Sequence, residues 1–224
     1  VSHRLNFLNT VWPESKISPD NVVVDFVFIH DLDPRNNSEH AQATWTGNEH
    51  FWPQEFLPKS LDDNIRVLIY GYNSISANKV STHADNFLLC LEIERTECPT
   101  RPMVFICHGF GGLIVKQALI KSRMADYFSA ILNSTIGLVF FETHNNASKY
   151  TSRARKKLAD MGALSVNDNF ETIDLSIPII SLKNTCKFDS MDSLGYKTVI
   201  SHIERMMKGI SEVARADSIA KEGQ

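Results

Sequence analysis

No stretch of this sequence reaches the ~20 apolar residues that a membrane-spanning helix needs. Its longest apolar runs, Val22–Ile29 and Met103–Cys107, have the length of buried strands, so no transmembrane segment is expected. Peripheral contact with a membrane surface stays open. The segment Val1–Lys16 lacks the apolar centre of a secretory signal, and the chain begins at Val1 rather than methionine, which is compatible with residues missing upstream. Basic clusters are scarce as well. The formal net charge is −3, and the short run Arg153, Arg155, Lys156 and Lys157 reads as the solvated face of a helix, so nucleic acid is not an expected partner. The four cysteines, Cys90, Cys98, Cys107 and Cys186, form no CxxC and no pairing pattern, as expected of an intracellular, reducing compartment. No set of His, Cys and Asp has metal-ligand spacing, and neither a metal nor another cofactor is expected.

What is present is an alternation of strands and helices. Val22–His30 is rich in β-branched and aromatic residues and predicts a buried strand. Asp31–Asn48, dense in Asp, Asn, Pro, Ser and Gly, predicts a loop, with Gly47 at a mobile position. Phe51–Leu57 predicts a short helix with proline in its first turn, and Arg66–Tyr70 a second strand. Thr82–Glu94 carries Ala84, Phe87, Leu88, Cys90 and Leu91 on one face, an amphipathic helix with Thr82 as its N-cap. Then follow a strand at Pro102–Cys107, a helix at Leu113–Ile120, a strand at Ile136–Phe141 and a charged helix at Ser152–Met161. A strand at Ile177–Leu182 precedes a closing helix at Gly195–Val213, with Val199, Ile203, Met206, Met207 and Ile210 inward. This order predicts an α/β fold: a mostly parallel sheet with helices on both faces. The expected organisation is an N-terminal extension over 1–21, one domain over 22–213 and a polar tail over 214–224.

The informative stretch runs from Met103 to Lys116. A buried strand enters the glycine-rich bend His108, Gly109, Phe110, Gly111, Gly112 and continues directly into a helix, the mechanical design of a nucleophile elbow. The bend strains one residue at its apex, and small neighbours are needed where strand and helix pass. The helix N-terminus below the apex favours developing negative charge.

Cys107–Leu119 resembles this elbow as it occurs in lipase-like serine esterases of the α/β-hydrolase superfamily, nearest the serine-active-site-containing protein family and its fungal relatives. Other landmarks agree in order. Phe28–Leu32 resembles the family's strand and oxyanion turn, here His30, Asp31, Leu32. Trp45 with Phe51–Pro58 resembles its tryptophan segment, and Arg66–Tyr72 its second strand. Phe140–His144 resembles its Thr-Pro-His loop, and Thr185–Asp189 with Gly195 and Tyr196 its closing segment. The resemblance covers residues 22 to 210 and implies the α/β-hydrolase fold, a serine ester hydrolase ancestry and, as a setting, mitochondrial or endoplasmic reticulum membranes.

Three departures bear on activity. Gly109 stands where the resemblance implies the serine nucleophile, and acyl transfer in this fold needs that serine activated by a histidine and a carboxylate. Asp31 stands where the oxyanion turn has glycine, and a carboxylate there is expected to repel an oxyanion. Ile180–Cys186, where the resemblance puts the histidine, contains none. No catalytic residue is therefore expected intact, and the expected function is a pseudo-esterase that binds a lipid or acyl ligand or another protein. The alternatives are an active ester hydrolase or lipase with a non-standard nucleophile, and a truncated reading frame.

Other candidates have plainer explanations. His108 and His30 read as packing residues, and His144 and His202 as solvated. Cys107 is expected to be buried before the turn begins, which disqualifies it as a substitute nucleophile. Trp45 and Trp52 read as core or lid packing rather than a lipid clamp.

Overall fold

Every residue of β2 (Val24–Ile29) is buried: Val27 and Ile29 enter one core, while Val24, Phe26 and Phe28 enter another. A strand apolar on both sides belongs at the centre of a sheet covered on both faces. The computed structural model describes residues 6–13, 21–33, 39–61, 64–73, 78–143, 156, 158–163, 165–171, 177–183 and 185–222, with backbone alone at 167 and 209–222. Beside β2 lie β1 (Phe7–Trp12), β5 (Ile65–Gly71), β6 (Met103–His108), β7 (Thr135–Phe141) and β8 (Ile179–Leu182). Their order in the sheet is β1-β5-β2-β6-β7-β8. All neighbours from β5 to β8 pair in parallel, with Phe28 opposite both Ile69 and Ile106. A separate two-stranded ladder joins β3 (Thr46–Gly47) to β4 (His50–Phe51).

Helices cover both faces, as the alternation predicts. One core packs α4 (Val80–Glu94), α5 (Phe110–Met124), α6 (Ser129–Ser134) and α7 (Val166–Glu171) on Val27, Leu68, Phe105 and Leu138. The other packs α1 (His40–Ala43), α2 (Trp52–Glu55), α3 (Leu57–Ser60) and α8 (Leu194–Glu222) on Phe26, Val67, Ile106 and Val139. Among the described residues, no helix is long and apolar enough to cross a membrane.

At the amino end of the sheet, Asp25 of β2 is fully buried beneath three guanidiniums. It accepts bonds from Arg66 Nε (2.9 Å) and Nη2 (2.8 Å), from Arg101 Nη1 (3.2 Å) and from Arg95. The cluster ties β2, β5, the end of α4 and the entry to β6 together.

Several elements differ from expectation. Within 1–21, Phe7–Trp12 is an antiparallel edge strand with Phe7 opposite Gly71 and Thr10 opposite Leu68. Phe7, Asn9 and Thr10 are exposed, so the segment has no period-two signature to announce a strand. The Asp31–Asn48 stretch is not all loop, since it contains α1 and β3. Gly47 is buried there, where an added Cβ would overlap the Asp189 carboxylate. Helix α4 starts at Val80, and its N-cap position is Lys79 rather than Thr82. The Val80 amide donates to Met161 O (2.9 Å), so a tertiary partner does the work of the cap. Helix α8 opens at Leu194 and stays helical to Glu222, through most of the segment expected to be a polar tail. Of the charged helix expected at Ser152–Met161, only Lys156, exposed, and residues 158–161 are described; Leu158 and Met161 are buried. Arg153, Arg155, Lys157 and the Ile210 side chain lie outside the described residues.

Candidate active site

From β2 the chain crosses to β5 on one side and then to β6 on the other. In open α/β sheets the crevice at the carboxyl ends of two such strands is where ligands bind. Here that crevice collects residues from three strand ends: His30, Asp31 and Leu32 after β2, Gly109 after β6, and Glu142 after β7.

Gly109 adopts φ 51° and ψ −119°, in the half of backbone space that a side chain resists. Its amide donates to Phe141 O (2.9 Å), and its carbonyl accepts from Thr143 Oγ1 (3.0 Å). Behind it, a Cβ on Gly111 would collide with the carbonyls of Ile29 and His30, and one on Gly112 with Thr143. Helix and strand do pass closely, as the bend in the sequence requires. Helix α5 begins at Phe110, whose amide donates to Asp31 Oδ1 at 2.6 Å. A charge-assisted bond at a helix N-terminus is favourable on both counts. A Cβ built on Gly109 would fall inside the Asp31 carboxylate. Asp31 therefore fills the space in which a side chain of residue 109 would stand.

The two histidines of the motif behave differently. His30 is 2% exposed, stacks on Tyr72 at 4.2 Å, and receives the Tyr72 amide on Nε2 (3.3 Å). Its Nδ1 faces Asp31 O at 2.6 Å, and burial lowers its pKa to about 4. It is a neutral packing residue. His108 is partly open, and its Nε2 lies 3.5 Å from Glu142 Oε2. Glu142 itself has φ 50°, a rare conformation for a residue other than glycine, and its amide is held by Leu182 O (2.9 Å).

A cavity of about 440 Å³ opens above these groups, lined among others by Asp31, Leu32, His40, His108, Glu142 and Lys187. Asp31, Leu32 and His108 line it together. Phe110 turns away, 3% exposed and 6.1 Å from the His83 ring. Sequence reasoning missed His40, which the short helix α1 delivers, and gave Glu142 no role. The latter's position directly after a parallel strand was the available signal. Cys107 is fully buried and burial holds its thiol well above the ordinary range, so it is no nucleophile. Cys186 lines the cavity but donates to Thr44 O (3.3 Å), and burial pushes its thiol up to about 12. Trp45 and Trp52 are core residues, edge-on to Phe28 at 5.0 and 5.2 Å. His202 is half-buried on α8, and His144 lies outside the described residues. Among the described residues, no group of three or more His, Cys, Asp or Glu could hold a metal ion.

A parallel sheet whose strand turns through a positive-φ residue straight into a helix defines the class: this is the α/β-hydrolase fold. The esterase B from Lactobacillus Rhamnosis superposes with a TM-score of 0.54 at 10% identity, covering 99% of this chain and 91% of that one. A C6-C4 SN3 inhibited form of that esterase gives 0.54 at 8% identity, with 99% and 92% covered. In sequence, the chain is similar to protein SERAC1 of Mus musculus, 25% identical over 107 residues, which are 44% of this chain and 16% of that protein. Protein SERAC1 of Homo sapiens is 35% identical over 49 residues, 22% of this chain and 8% of that one. The matches thus span under a fifth of the length of these curated relatives. No protein-family model matches the chain.

Proposed function

We propose that this chain is a catalytically degenerate α/β-hydrolase domain, a pseudo-esterase whose crevice serves binding or scaffolding. One observation carries the proposal: the Asp31 carboxylate occupies both the side-chain space above Gly109 and the Phe110 amide. In an acyl-transferring elbow, the amide after the nucleophile is an oxyanion donor. Here that donor already holds an anion, and residue 109 has no hydroxyl to attack with. The cavity is within the size range of small-molecule sites, which fits a lipid or acyl ligand, and another protein is the second partner considered. Four free thiols fit a reducing intracellular setting, and the family resemblance points to mitochondrial or endoplasmic reticulum membranes. The purified protein should turn over short and medium p-nitrophenyl esters no faster than a denatured control and should take no fluorophosphonate label. Ester turnover that the fluorophosphonate abolishes would refute the proposal.

A further inference from the structure

We infer that the crevice selects a cation: its ligand is a short aliphatic chain that carries an ammonium group, held between the carboxylates of Asp31 and Glu142. This rests on the pseudo-esterase reading above and narrows its lipid or acyl ligand to one of defined charge.

The chemistry of the walls leads there. A hydrolase crevice receives developing negative charge, because the amide that opens the helix behind the bend donates to it. Here the Phe110 amide donates to Asp31 Oδ1 at 2.6 Å, so the donor end of α5 is already met by an anion of the same chain. From the end of β7 comes Glu142, its side chain 51% exposed and its Oε2 3.5 Å from His108 Nε2. Both carboxylates line the cavity of about 440 Å³. A carboxylate oxygen accepts more than one hydrogen bond, so the contacts with Phe110 and His108 do not exhaust them.

Lys187 also lines the cavity, but it is exposed, its ammonium donates to Ala43 O at 2.8 Å, and water screens its charge. The wall at Cys186 registers both carboxylates. Burial is what chiefly lifts that thiol to about 12; Lys187 opposes the shift, while Glu142 and Asp31 add to it. An anion entering here meets two like charges and finds its usual donor occupied. A neutral ligand leaves both carboxylates to water. An ammonium offers three N–H donors and can bond to both, and such charge-assisted bonds are the strong ones. Leu32 and Ala43 supply apolar wall for a short chain.

The test uses the full chain at neutral pH with n-hexylammonium, and with hexanoate and 1-hexanol as analogues of different charge. In isothermal titration hexylammonium should bind about tenfold or more tightly than either, and the Phe110 amide resonance should shift as it binds. Asp31→Asn, which keeps an acceptor for that amide, and Glu142→Gln should each weaken binding about tenfold. Lys187→Gln removes a like charge and should tighten binding about twofold, a sign that loss of a structural contact would not give. Glu142→Gln and Lys187→Gln alter exposed side chains and carry the test should Asp31→Asn fail to fold. The inference fails if hexanoate or hexanol binds as well as hexylammonium, if hexylammonium does not bind at millimolar concentration or leaves the Phe110 resonance in place, or if the folded carboxylate variants keep full affinity. Ester turnover that a fluorophosphonate abolishes would sink the pseudo-esterase reading instead, whatever hexylammonium does.

Discussion

Two glycines with positive φ separate backbone strain from crowding. Gly109 has φ 51° and Gly162 has φ 66°, but an added Cβ meets nothing within 4 Å at Gly162 and falls inside the Asp31 carboxylate at Gly109. Gly162→Ala should therefore cost only the left-handed penalty, about 1–2 kcal/mol. Gly109→Ala should cost more, and Asp31→Gly should recover the excess, because the two residues share one space. Urea unfolding of the single and double variants should give a coupling of about 1 kcal/mol or more. Additive effects would show that the carboxylate does not occupy that space. Gly47, expected to be mobile, is unfit as a reference because Asp189 crowds it. This is also where legibility in the sequence stops. The resemblance placed Gly109 and Asp31 at one site, but they lie 78 positions apart in the chain, and no local pattern says that the second fills the place of the first.

At the scale of elements, the six-stranded sheet was readable where strands are largely apolar on both faces, as in β2, β5, β6 and β7, because mostly apolar runs of that length have few other homes. The edge strand β1 was not, since exposure of alternate and adjacent residues erases the pattern. Nor does any periodicity announce the buried knot around Asp25, whose partners come from three elements. Asp25→Ala would leave three guanidiniums, 13%, 3% and 8% exposed, without their common counter-ion. The expected loss is about 3–5 kcal/mol, from buried charge left uncompensated rather than from lost packing. Denaturant titration checks it, and a loss under about 1 kcal/mol would mean that water reaches the cluster.

For the molecule as a whole, pH should reveal how much charge the cores refuse. Burial holds both His30 and His83 at about 4, below the ordinary 6.5. Between those values the unfolded chain takes up protons that the folded chain does not, so stability falls as pH drops from about 6.5 to about 4 and then levels off. Lys116, 3% exposed and 5.0 Å from the Phe140 ring centre, is lowered by burial to about 8 from 10.5. The same inequality makes stability rise with pH between about 8 and 10.5. Urea midpoints across both windows should show these two slopes, and His83→Gln should flatten the acidic one. A flat profile from pH 7 to pH 4 would mean that neither histidine is neutral in the fold.

The bond from the Phe110 amide to Asp31 has a last consequence for anything that enters the crevice from outside. Asp31 is tethered beside that amide, so its effective concentration there is at least millimolar and higher for a turn this short. A free carboxylate, boronate or phosphonate must compete with an anion that never diffuses away. Ligands that recognise a hydrolase chiefly through its oxyanion contact should thus bind this crevice poorly, whereas those that lean on the cavity walls keep their full affinity.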